Sequence, residues 1–168
     1  MSVIKQRELE RFKKTRAGLI EFACILEQAS PKVRDKIITE VASLDPSFLR
    51  AALKKVVFFE EIIYLDESIL AELLSHVSPK LLAYSLSGMS PAFSKIILDS
   101  LAFRKMRQVQ DEQEKMGKTS SSLAFGSQIQ ILKIARELEE KNKFNFELVD
   151  CPRFKSPGKQ HLRLVGPK

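Results

Sequence analysis

Four polar–proline pairs punctuate the middle of this chain: Ser30-Pro31, Asp45-Pro46, Ser78-Pro79 and Ser90-Pro91. Each sets a short oxygen-bearing side chain before a proline. That order suits a helix start: the oxygen can accept a first-turn N–H, and proline's missing N–H costs nothing at the first helical position. A proline cannot continue a helix from within, so these pairs cut the chain into short helices. Asp66-Glu67 reads as a fifth start. Gly88 and Gly117 follow helical patterns and suit the left-handed position after a helix end.

Between these marks the apolar residues recur at helical spacing. Leu9, Phe12, Leu19, Phe22, Ala23 and Leu26 mark one long helix over 5–29, and Val33, Ile37, Ile38 and Val41 a second. Phe48, Leu49, Ala52 and Leu53 begin a third that runs into VVFFEEIIYL. Ile69, Leu70, Leu73 and Leu74 give a fourth; Leu81, Leu82 and Leu86 a short fifth; a sixth runs from Pro91 towards Leu98. Ser100 can cap a charged helix over about 100–117, and Leu123, Ile129, Ile131, Leu132, Ile134, Ala135 and Leu138 mark a last helix over 123–141. VVFFEEII is rich enough in β-branched and aromatic residues to pair as a strand. The helical pattern upstream is continuous with it and Glu60-Glu61 follows, so helix is the expectation. FNFELV alternates and suits an extended segment, and the remainder from Pro152 has the composition of disordered chain. The expected fold class is all-α. Short helices stack in armadillo- or HEAT-like fashion over 1–60, a C-terminal helical domain covers 61–145, and a basic, flexible tail covers 146–168.

A chain of 168 residues suits one domain or two small ones, and a hydrophobic share of 44% can supply a core. There is no apolar run of about 18 residues to cross a membrane, and the N-terminus lacks the apolar stretch of a signal peptide. Cys24 and Cys151 show no metal or redox spacing, which predicts free thiols in a reducing cytoplasm. The net charge of +7 would suggest nucleic acid, but it gathers at the ends. Residues 1–16 hold Lys5, Arg7, Arg11, Lys13, Lys14 and Arg16 against Glu8 and Glu10; residues 151–168 hold Arg153, Lys155, Lys159, Arg163 and Lys168 and no acid. The body between is nearly neutral. Solvated basic termini are therefore expected rather than a nucleic-acid footprint.

No catalytic constellation emerges. His76 and His161 are the only histidines; His76 reads as a helix C-terminal residue, and neither cysteine has a histidine in sequence context. There is no phosphate-cradling glycine loop and no metal-ligand cluster, so no cofactor and no enzyme activity are expected. Glu60-Glu61 and Asp66-Glu67 read as solvated, and Phe58, Phe59 and Tyr64 as core.

The segment SLAFRKMRQVQDEQEKMG, Ser100 to Gly117, is different. Arg104, Lys105 and Arg107 precede Asp111, Glu112 and Glu114. A helix dipole favours the opposite order, by up to about 1 kcal/mol per charge. Arg107 and Asp111 can pair at i,i+4, in the weaker orientation. Such a helix suits a charged partner better than it suits its own stability.

From about Gly18 to Phe146 the chain resembles the C-terminal half of the bacterial flagellar motor switch protein FliG. FFEEIIYLDESILAELLSHV resembles that family's phenylalanine–acidic run and following helix, and AYSLSGMS stands at its Ala-Leu-Lys-Gly-Ala phrase. SKIILDSLAFRKM matches its Lys-rich helix and Asn-Met-Ser break; QVQDEQEKMG matches its paired acids ending in glycine; SQIQILKIARELEEKNKF matches its last helix. FACILEQASPKVRDKIITEVASLDPSFL is similar to the helices before that domain. The resemblance implies a cytoplasmic rotor-ring subunit at the inner-membrane face of the flagellar basal body. It would stack on neighbouring FliG-like subunits, contact a FliM-like switch protein, and meet a MotA-like stator subunit through a torque helix. By the same likeness Arg104 keeps a cation and Asp111 with Glu112 an acidic pair, while Ser87 and Ser120 stand where cations are expected. The family's Met-Phe-x-Phe hinge reads Val56-Val57-Phe58-Phe59. The family's preceding domains do not occur, so the chain is expected to be a fragment or a short divergent paralogue. The alternatives are a regulatory or assembly role on the rotor, or a helical adaptor binding nucleic acid or anionic lipid through its basic ends.

Overall fold

The structure, a computed structural model, describes residues 6–146. Of the extended segment expected at FNFELV, residues 144–146 are described and form no strand; its remainder and the basic tail, with Cys151 and His161, lie outside the described residues. Nine α-helices and one 3₁₀ helix occur among the described residues, with no strand, as the all-α expectation required. The chain divides into two compact units, one ending at Val57 and the other beginning at Phe58.

The first unit holds α1 (Gln6–Lys13), α2 (Arg16–Gln28), α3 (Pro31–Leu44) and α4 (Pro46–Leu53). The single helix expected over 5–29 is two. Thr15 takes an extended conformation and its side chain accepts the Gly18 N–H at 3.0 Å, starting α2 afresh. Glycine at 18 lets the returning helix touch the one before it: a Cβ there would lie 2.5 Å from the Phe12 carbonyl oxygen. The continuous apolar pattern hid this turn, because both helices bury their stripes in one core of Leu9, Phe12, Phe22, Leu26, Ile37, Val41 and Phe48. The Phe22 ring, fully buried, lies 5.5 Å from Phe12 and 5.3 Å from Phe48 in tilted contacts. Val33, expected on the core stripe, is exposed.

Asp45 shows why the polar–proline pair works. Its carboxylate accepts the N–H groups of Ser47 (3.1 Å) and Phe48 (2.9 Å) at the start of α4, and Lys13 of α1 closes on its other oxygen at 2.9 Å. Ser78 and Ser90 cap their helices in the same way, whereas Ser30 and Asp66 make no side-chain cap bond. The Phe48 N–H above all, then the Ser47 hydroxyl and Lys13, hold the Asp45 carboxyl well below its ordinary 3.8. A depressed folded-state value means that the stabilisation is fully present above the unfolded value and disappears as pH falls below it. Urea unfolding of the first unit should therefore lose midpoint from pH 6 to pH 3. Asp45→Asn, which can still cap, should show a flatter acid limb than the parent.

The helix expected to continue through VVFFEEIIYL stops at Leu53. Residues 56–58 take no regular secondary structure, with Phe58 in extended backbone, and a 3₁₀ helix follows at Phe59–Tyr64. β-Branched Val56 and Val57 gain more from burial outside the helix than from prolonging α4, and both are essentially inaccessible.

The second unit adds α5 (Glu67–Ser75), α6 (Pro79–Leu86), α7 (Pro91–Asp99), α8 (Phe103–Lys115) and α9 (Ser121–Glu140). Helix α6 is its hub, packing on α8 and α9, while the 3₁₀ helix lies against α7 and α9. Leu73, Leu74, Leu82, Ile97, Val109, Ile131 and Ala135 fill the core, and Phe59 meets Phe93 at 5.4 Å between ring centroids. His76 ends α5, as expected, and Gly88 takes φ +79° after α6. Gly117 does not take a positive φ, because Met116 ends α8 in extended backbone and no left-handed residue is needed.

Candidate functional site

The charged helix forms, two residues later than its expected start. Ala102 is the N-cap residue and offers no side-chain bond; the Ser100 hydroxyl instead donates back to the Ile96 carbonyl at 2.8 Å. Only Val109 on α8 is fully buried. At about 100° per residue, Phe103, Arg104, Arg107, Gln108, Asp111, Glu114 and Lys115 fall within an arc of about 140° on the opposite side. All seven are exposed. Glu112 lies at the edge of this face, half-buried, with Lys115 3.7 Å from its carboxylate. Arg104 and Asp111 are separated by two turns, about 10 Å along the helix.

Two of the expected relationships differ. Arg107 does not pair with Asp111; its guanidinium lies over the Phe103 ring, 5.7 Å from the centroid. The cation-before-acid spacing is the weaker one, and an aromatic face one turn upstream competes with it. Lys105, read as one of three presented cations, faces inward. Its ammonium donates to the carbonyls of Leu74 (2.6 Å) and Ser75 (3.0 Å) at the end of α5, and burial pushes its pKa down. The signal was present: Lys105 precedes Val109 by four residues and so shares its face. What it reaches lies thirty residues upstream, beyond any local pattern. Lys105→Met keeps the stem and removes the donor, so it should lower stability by about 1–2 kcal/mol, checked by urea unfolding with α8 still helical by circular dichroism.

The exposed face therefore presents Arg104 and Arg107 in its first half and Asp111 and Glu114 in its second. Arg104, Arg107, Asp111 and Glu114 make no ion pair among the described residues, so their charges stay available. Ser87 and Ser120, where the resemblance implies cations, have local roles instead. The Ser120 hydroxyl accepts the Leu123 N–H at 3.2 Å as the N-cap of α9, a bond no cationic side chain could supply, and Ser87 ends α6. No group of three or more His, Cys, Asp or Glu could hold a metal among the described residues.

Two further carboxylates stand around Val56-Val57-Phe58-Phe59: Glu61, expected to be solvated, and Glu27, which no sequence pattern singles out. Glu27 of α2 is buried, 4% exposed, and accepts the Val57 N–H at 2.8 Å. Glu61 of the 3₁₀ helix is half-buried, not solvated, and accepts the Phe58 N–H at 2.8 Å. Val56, Val57 and Phe59 are buried and Phe58 half-buried, while Tyr64, expected in the core, is 43% exposed.

The comparisons with known proteins agree with the residues that suggested them. The chain is 25% identical over 119 residues to the flagellar motor switch protein FliG of Borreliella burgdorferi, covering 71% of this chain and 35% of that protein. It thus spans about a third of the curated relative it matches. Its fold is similar to a crystal structure of FliG (residues 86-343) from H. pylori, with TM-score 0.57 and 23% identity over 80% of this chain and 63% of that one. A second H. pylori FliG structure (residue 116-343) gives TM-score 0.54 and 22% identity, covering 76% and 56%. The model of the FliG C-terminal domain matches residues 39–146, well over half of the sequence and all five helices of the second unit. The chain belongs to the FliG C-terminal domain family.

Proposed function

We propose that this chain is a component of the flagellar motor switch, placed in the rotor ring at the cytoplasmic face of the basal body, where α8 meets the stator. The observation that carries this reading is the exposed face of α8, where Arg104, Arg107, Asp111 and Glu114 stand ready to pair outside the molecule. Exposed pairs of this kind are worth about 1 kcal/mol or less. A stepping contact needs that weakness, because each attraction must form and release as the stator passes.

The cation-then-acid order also acquires a purpose. It costs the helix some dipole energy and in return presents two signs in succession to a MotA-like partner. Ile20, Ile25 and Val33, exposed apolar residues of the first unit, supply surface for stacking on a neighbouring FliG-like subunit or a FliM-like protein. Residues 56–59 act as the hinge through which switching of direction is transmitted. Among the described residues no helix is long and apolar enough to cross a membrane, which fits a peripheral place on the rotor.

One observation favours a second reading. With serine at 87 and 120 serving as helix-end residues, two cations that the resemblance implies are missing, as suits a paralogue that regulates or assembles the rotor. Deletion of the gene tests both. Loss of swimming with intact filaments supports the rotor role, while paralysis without assembled motors supports assembly. Normal swimming and normal reversal in the deletion strain overturn both.

A further inference from the structure

We propose that residues 121–125, the first turns of α9, open as one unit at Gly126-Ser127 and so set how freely the acidic half of α8 moves. This rests on the reading of the α8 face as the stator contact and adds a regulation of that contact.

Helix α9 is not held evenly along its length. Of residues 121–125 Ala124 alone is buried, while Ser121, Ser122 and Leu123 are exposed. The burial that fixes the helix comes later, at Ser127, Ile131, Leu132, Ala135 and Leu138. Gln128 adds a polar anchor. Its amide nitrogen donates at 3.0 Å to the Ser85 carbonyl in the last turn of α6, where helix carbonyls lack partners of their own.

Gly126 stands between the two parts. Glycine inside a helix is unfavourable relative to alanine, because it has more backbone freedom to lose. Packing does not call for it: among the described residues outside its own helix, nothing lies within 4 Å of where a Cβ would stand. The Ser127 hydroxyl donates to the Leu123 carbonyl at 2.9 Å, a back-bond that weakens and bends helices. Gly-Ser pairs are places where helices break. Glycine also serves as an N-cap, so Gly126 can begin the shortened helix.

The consequence falls on α8. Residues 116–120 join it to α9. Unwinding through Gly126 lengthens that connection from five residues to eleven and more than doubles its greatest reach. The two halves of α8 respond differently. Lys105 is fastened to the end of α5 and Val109 is buried, whereas no residue from 110 to 115 is fully buried. Slack beyond Met116 frees Asp111, Glu112 and Glu114, while Arg104 stays beside the Lys105 fastening. The spacing between the cations and the acids offered to a partner thus becomes adjustable.

Amide hydrogen exchange of the full chain, resolved at single residues, tests this. The amides of residues 124–129 bond to the carbonyls of residues 120–125 and should share one opening rate. Those from Ile131 to Leu138 should exchange more slowly. Gly126→Ala should slow the whole 124–129 group about two- to fivefold. Residues 111–116 should slow with them, while Arg107 and Gln108 do not respond. Simple fraying from Ser120 opens the Ala124 amide without involving Gly126. An Ala124 rate indifferent to the substitution, or protection that climbs residue by residue, would therefore refute a single opening unit. No response at 111–116 would refute the link to α8. Gln128→Leu, which removes the donor to Ser85, should carry fast exchange on to Ile131; a boundary that stays in place would show that Gln128 is not the anchor. In cells Gly126→Ala should change the rate of spreading in soft agar. An unchanged rate, with the exchange shift present, would overturn the regulation of the stator contact. Normal swimming in the deletion strain would overturn the motor reading and leave the exchange result standing.

Discussion

Cells carrying Asp111→Lys together with Glu112→Lys should lose most or all swimming while the protein stays folded. The double change moves the second half of α8 by four charge units, so every attraction its acids make with a partner becomes a repulsion. Stability should hardly change. Asp111 makes no ion pair among the described residues, and the Glu112–Lys115 contact, 3.7 Å and solvated, is worth a few tenths of a kcal/mol. Lysines late in a helix are better placed for the dipole than the acids they replace. Swimming in soft agar and the thermal melt of the purified chain, measured together, separate the two effects. Normal motility in this variant would sink the torque role of α8. A collapsed melting temperature would place these acids in the fold instead. Partial rescue by a charge-reversed stator would identify the partner directly.

Phe22→Ala should unfold the first unit at temperatures the parent tolerates. The ring is fully buried between Phe12 and Phe48, and truncating such a residue costs about 3–5 kcal/mol through lost transfer energy and the cavity left behind. Helices α1–α4 form a small core with little margin to absorb that. Hydrogen exchange should show protection lost across α1–α4 and retained in α6, α8 and α9, whose core lies in the other unit. A uniform loss of protection would show that the two units fold as one cooperative body.

Much of this was written locally. Each of these four prolines begins a helix where its pair predicted, because a fixed φ, joined by a side-chain cap at Asp45, Ser78 and Ser90, acts over three or four residues and needs nothing from elsewhere. Family membership was legible for a related reason: the order of short phrases from Gly18 to Phe146 survives in sequence. The errors share one cause. The turn at Thr15 was hidden because α1 and α2 fill the same core, so their apolar pattern runs on across the break. The end of α4 is illegible because the helical periodicity runs on into Val56-Val57, which are buried outside any helix.

The site divides along the same line. Sequence determined that one helix would carry cations before acids, since composition and spacing along a single helix fix its faces. Only the tertiary structure decided which of those charges remain free. It took Lys105 inward to the end of α5, laid Arg107 over Phe103, and left Arg104 and Asp111 unpaired. It likewise turned Glu27 from one acid among many into the acceptor of the Val57 amide. A hydrogen bond spanning thirty residues has no periodicity to announce it. It exists because packing brings a buried polar group within reach of another, and that proximity belongs to the fold.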